Sequence, residues 1–157
     1  MNIFVTDLDP IVAAINLCDK HVVKMCLETA QLLCSPFPKG TAPYRTTHIN
    51  HPCSIWARES IQNYHWLVTH GTAISAEYTS RYKKRHASAK VIAWCENNYK
   101  NLFLPDIGLT EFPQCVPQQY KQNDVVNAYR QYYLAEKSRF AKWKYTHPPY
   151  WWINSDL

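Results

Sequence analysis

Hydrophobic residues recur at steps of three and four through most of the chain, the spacing of one face of an α-helix. The cleanest run spans Asp19 to Cys34, where Val22, Val23, Cys26, Leu27, Ala30, Leu33 and Cys34 make an apolar side. Asp19 is the expected N-cap of that helix, with a charge suited to the positive helix end. Upstream, Asp9-Pro10 predicts a helix start, a cap followed by proline at the first position. Ile11, Ala14, Ile15 and Cys18 then share a face. Asn2-Ile3-Phe4-Val5 reads as a short strand or an extended lead-in. Ser35-Pro36-Phe37-Pro38-Lys39-Gly40 stops the Asp19 helix.

Residues 35–52 form a loop with Pro36, Pro38, Pro43 and Pro52, and it carries Tyr44, Arg45, His48 and His51. A long helical pattern runs from Cys53 to about Arg85, with Gly71 an expected break or bend. Another helix is expected over roughly Ser88 to Leu102. Residues 103–122 are a second proline-bearing loop. Asn123-Asp124 then caps a last helix bearing Val125, Val126, Tyr129, Tyr132, Tyr133 and Phe140. Pro148-Pro149 excludes helix from the tail. The expectation is an all-α, compact single domain over residues 1–157, with about five to six helices and two proline-bearing loops.

Composition supports this reading. Hydrophobic residues are 46 % and charged residues 18 %, a globular balance. Three glycines against ten prolines favour helices joined by rigid loops. No apolar run approaches the roughly 18 residues of a membrane span. The opening carries Asp7 and Asp9 and lacks a basic region, so it is not read as a secretory signal. The six cysteines are accordingly expected to be reduced and the protein cytoplasmic. Net charge is +5, which permits nucleic-acid binding without requiring it. Its distribution is more informative. Arg81-Tyr82-Lys83-Lys84-Arg85-His86 forms one basic cluster, and Lys137, Arg139, Lys142 and Lys144 form another among aromatics. Such segments neutralise phosphates and stack on bases.

The Asp19 helix also has a second stripe at helical spacing. His21, Lys24, Glu28 and Gln31 bring a base, a cation, a carboxylate and an amide onto one face. Its plain reading is a solvated face with a Lys24–Glu28 pair in the weaker order. Its chemical reading is imine catalysis. An amine attacks C1′ of a nucleoside, and a carboxylate handles protons and stabilises the cation. Other chemistries fit worse. No phosphate-binding glycine motif is present. His48-x-x-His51-x-Cys53 is the closest metal-like group, but its spacing is not that of a zinc site, so no metal is expected. Cys26 lies five residues from His21 and so faces another way.

Asp19-x-His21 followed by Glu28 resembles the opening helix of the phage pyrimidine-dimer DNA glycosylases of the endonuclease V type. Lys142-Trp143-Lys144-Tyr145 is similar to that family's aromatic-basic tail. The opening Met1-Asn2-Ile3-Phe4, with Cys18 to Met25, also resembles uncharacterised phage proteins. The resemblance implies a compact all-α glycosylase with AP-lyase activity that acts on double-stranded DNA with a damaged or modified base, without metal or organic cofactor. Glu28 would be the catalytic carboxylate, with the α-amine of Met1 as nucleophile and Lys24 behind it. His21 and Gln31 would orient the site. Arg45, Lys83, Lys84, Arg85, Lys142 and Lys144 would hold phosphates, and Trp143 and Tyr145 would line the nucleic acid. Departures are Leu27 and Gln31, where the family carries arginines, and Asn2, bulky enough to retain Met1. Two rival readings stay open: an enzyme acting on a modified base or free nucleotide with the same pocket, and a non-catalytic phage protein that binds DNA or a host protein.

Overall fold

The computed structural model describes residues 1–153. It is one all-helical body with α1 (Pro10–Ile15), α2 (Asp19–Cys34), α3 (Pro52–Glu59), α4 (Ile61–Tyr82), α5 (Ala89–Asn98) and α6 (Val125–Glu136). Short 3-10 turns lie at Tyr99–Leu102 and Gln118–Tyr120. There is no strand among the described residues, and the first five residues run as an extended lead-in. None of the helices is long and apolar enough to cross a membrane, among the described residues.

Helix α4 is the axis of the body, and α1, α2, α3 and α5 all pack against it. Caps fix where helices begin. The Asp9 carboxylate accepts from the amides of Ile11 and Val12, and Asp124 accepts from Val126 and Asn127. The pattern that starts near Cys53 divides at Ser60, not at Gly71. Ser60 is extended (φ −150°, ψ 158°), and its hydroxyl accepts from the Asn63 amide to start α4. Gly71 lies inside α4, where a Cβ would meet Thr29 Cγ2 at 2.9 Å and Ile92 Cδ1 at 3.2 Å. A glycine expected to break a helix instead lets three helices close together.

Three further expectations are corrected. Cys18, not Asp19, is the N-cap residue of α2. Asp19 is the first helical residue, and its carboxylate is drawn into tertiary contacts. It accepts from the Lys144 amide at 2.8 Å and pairs with Arg81 at 3.2 Å. Val23 and Leu27 are each 41 % exposed, so the buried face of α2 is completed by Met25, Thr29 and Leu32 instead. Phe140 lies beyond the end of α6.

Arg81 is also not a surface cation. It is buried at the junction of α1, α2 and α4. There it donates to the carbonyls of Leu17 and Ile15 and pairs with Glu77 and Asp19. Helix α6 closes the body from the other side, turning Tyr129 and Tyr133 inward against the lead-in.

Candidate active site

The lead-in carries the chain's first amine into the body. The α-amine of Met1 lies 3.4 Å from Glu28 Oε1, halfway along α2. Glu28 keeps 15 % of its side chain exposed and Met1 is half-buried, so the pair lies near the surface and not in the core. Each neighbour of Met1 is held. Asn2 donates from Nδ2 to the Cys115 carbonyl at 3.0 Å and accepts from the Tyr129 hydroxyl at 2.8 Å. Ile3, Phe4 and Val5 are buried. The position of the amine is therefore set by the fold.

His21 fixes this segment from below. Its ring stacks on Phe4 with centroids 4.7 Å apart and meets Phe140 edge-on. Nδ1 is 2.9 Å from the Tyr133 hydroxyl. Burial pushes its pKa down to about 4, helped by Lys137, Lys24 and Lys20. A neutral, 5 % exposed ring is a packing and positioning group rather than a surface for substrate. Lys24 is exposed, and the ion pair of Glu28 is with Met1 and not with Lys24.

Gln31 and Leu27 border an open cleft of about 1010 Å³ between α2 and the first proline-bearing loop. Arg45, Arg58, Lys39, Phe37 and Tyr44 also line it, so both cations and apolar surface border it. The cleft adjoins Glu28 through its neighbours on α2. His51 stands at the N-terminus of α3, where Nδ1 accepts from the Cys53 amide at 3.1 Å. Burial lowers its pKa, the Met1 amine and His48 add to this, and Glu28 opposes them. The same charges act on it from Met1 and Glu28, which puts His51 at the site's edge.

The model of the pyrimidine dimer DNA glycosylase family matches residues 1–90, more than half of the chain. The chain belongs to that family. No curated protein and no solved structure matches it. DNA glycosylase activity is thus its reaction class and DNA its partner. The matched stretch contains Met1, His21, Lys24, Glu28, Gln31, Arg45 and the cluster at residues 83–85, while the tail from Lys142 lies outside it.

In this glycosylase the two basic segments meet at the start of α2. Lys20, Lys24, Lys142 and Lys144 surround a shallow depression with Tyr82 and Phe140. Tyr145, 52 % exposed, meets Tyr82 edge-on. Lys83, Lys84 and Arg85 are exposed just past the end of α4, with Lys83 in the left-handed conformation that terminates it (φ 57°). Trp143 is half-buried and partly structural, donating from its indole to the Asn16 carbonyl and packing on Trp152. Arg45 is apart from this surface, on the cleft side. The structure thus gathers Lys142, Lys144 and Tyr145 with Lys24, and separately joins Gln31 to Arg45.

Sequence reasoning passed over Asn2, Phe4, Arg58 and Cys115. Asn2 and Cys115 come together through a bond that spans 113 residues, while Arg58 reaches the cleft by a bond to the Ile49 carbonyl in the loop that precedes its helix. The one local signal is the group His48-x-x-His51-x-Cys53, whose spacing is not that of a zinc site.

Proposed function

We propose that this protein is a DNA glycosylase with AP-lyase activity in which the Met1 α-amine is the nucleophile and Glu28 its carboxylate partner. The observation that carries this reading is the 3.4 Å approach of that amine to Glu28 Oε1. An α-amine gives up its proton more readily than a lysine side chain, and a carboxylate beside it is placed to take that proton.

The neutral amine attacks C1′ of the damaged nucleotide. The glycosidic bond breaks, and its electron pair leaves with the base, which takes up a proton. Loss of the amine's remaining proton and opening of the C1′–O4′ bond give a Schiff base, with the proton delivered to O4′. Glu28 carries that proton and stabilises the cationic stages. Removal of a C2′ proton then expels the 3′ phosphate and cuts the strand. A base inside a duplex must leave the stack to reach the amine. Lys142, Lys144, Lys83, Lys84 and Arg85 hold the backbone on one side, and Arg45 with Gln31 holds it on the cleft side. Tyr145 and Trp143 offer faces to the nucleic acid. His21 acts through Phe4, as a positioning residue for the lead-in.

The test is borohydride trapping on oligonucleotides carrying cyclobutane pyrimidine dimers or abasic sites. The expected result is a covalent adduct on the Met1 peptide. Glu28→Gln should retain DNA binding and lose about 10²–10⁴-fold in rate. An adduct mapped to Lys24 would transfer the nucleophile's role to that side chain. Intact DNA binding with no adduct on any substrate would overturn imine chemistry.

A further inference from the structure

Beside the lead-in lies a cluster of donors that the glycosylase mechanism does not use. One donor atom from each of His51, Cys53 and Cys115 falls within 4.8 Å of the other two. The Cys53 and Cys115 sulfurs are 3.6 Å apart, and both cysteines are free. A tetrahedral zinc with thiolates at about 2.3 Å sets its sulfurs roughly 3.8 Å apart. The observed pair is already near that spacing. The imidazole is prepared in the same sense. Nδ1 of His51 accepts an amide proton from Cys53, so it is the unprotonated nitrogen of the ring and the one able to ligate.

We propose that His51, Cys53 and Cys115 form a binding site for a zinc-class divalent ion. Two thiolates and an imidazole select zinc or a similar soft ion, and they discriminate against magnesium and calcium, which take oxygen ligands. Binding releases the two thiol protons to solvent, and the paired thiolates neutralise the ion's charge. His51 exchanges its hydrogen bond from Cys53 for the metal bond. The fourth position is left to solvent. The site ties together parts of the chain that are otherwise distant. His51 and Cys53 belong to the start of α3, and Cys115 lies in the second proline-bearing loop. The Asn2 side chain holds the Cys115 carbonyl, so an ion here would also brace the segment that carries Met1. The third donor follows Cys53 by 62 residues, so no local spacing in the sequence marks the site. The proposal does not depend on which amine is the nucleophile.

The experiment uses the purified full chain, reduced and freed of metal, titrated with cobalt(II) and then zinc(II). A single equivalent of cobalt should give a thiolate-to-cobalt charge-transfer band and the intense visible bands of tetrahedral cobalt, both abolished by zinc. Cys115→Ser should lose the charge transfer from one sulfur and bind more weakly. Should that variant fail to fold, the wild-type chain still decides the matter. Zinc should protect Cys115, the partly exposed thiol of the pair, from alkylation, mapped by peptide mass, and leave the labelling of the buried Cys18, Cys26, Cys34 and Cys95 unchanged. No thiolate band and no protection would overturn the proposal. So would a Cys53–Cys115 disulfide that forms in air while the reduced protein takes up no metal.

Discussion

Two buried histidines give the protein a definite response to acid. His21 lies among Phe4, Tyr133 and Phe140, and His70 donates toward the Pro10 carbonyl with its ring against Trp66. Burial holds the pKa of each down at about 4, against 6.5 for a free histidine. The sign follows from proton counting. Between these values the unfolded chain binds more protons than the folded one, so stability falls as pH drops from 6.5 and levels off below 4. The loss is of order 3 kcal/mol per histidine. Urea unfolding at steps from pH 7 to pH 4 should show this decline. His21→Phe keeps the ring's packing and leaves Tyr133 its bond from the Cys18 amide. It should roughly halve the slope contributed by the pair. An unchanged slope would mean that His21 is already charged in the folded protein.

At the scale of elements, Gly71 makes the sharpest claim. Gly71→Ala raises helix propensity by about 1 kcal/mol and would stabilise an exposed helix. Here the new methyl would meet Thr29 and Ile92 at less than ordinary contact distance. Overpacking of this kind costs typically 1–3 kcal/mol, which cancels that gain or outweighs it, so the net change should be destabilising by up to about 2 kcal/mol. Thr29→Ser removes the methyl nearest the new atom. The double variant should recover part of the loss, and thermal unfolding of the four proteins of that cycle measures it. Additive effects would show that the helices do not cross as closely as described.

Gly71 also shows which parts of the fold were legible. Asp9, Asp124 and the run from Asp19 to Cys34 could be read because caps and amphipathic periodicity are local. Gly71 could not be, because its meaning lies on two other helices. Asp19 failed as a cap for the same reason, since Arg81 and the Lys144 amide compete for its carboxylate. The candidate site divides in the same way. Glu28 stood out on its helix, but its approach to Met1 depends on an extended lead-in pinned by Tyr129 and Cys115 from the far end of the chain.

For the whole molecule, the fold turns a modest charge excess into a directed surface. Net charge is only +5, yet Lys20, Lys24, Lys142 and Lys144 share one depression, and Lys83, Lys84 and Arg85 project from the end of α4. The tail reaches that place because its backbone is bonded to the Asp19 amide and to the Asp19 side chain. The Asp19 amide donates to the Lys142 carbonyl, and the Lys144 amide donates to the Asp19 carboxylate. If this surface carries the DNA backbone, affinity must fall with salt in proportion to the phosphates neutralised, by about 0.9 in log–log slope for each. The double substitution Lys142→Ala, Lys144→Ala leaves those backbone bonds available. It should weaken binding to undamaged and damaged duplexes alike and reduce the slope by about two. Glu28→Gln should leave the slope unchanged, since the Glu28 carboxylate is paired with the Met1 amine and not with a phosphate-binding cation. Fluorescence anisotropy on a labelled duplex across a salt series separates the two. A slope unaltered by the lysine pair would move the DNA track to the cleft lined by Arg45 and Arg58.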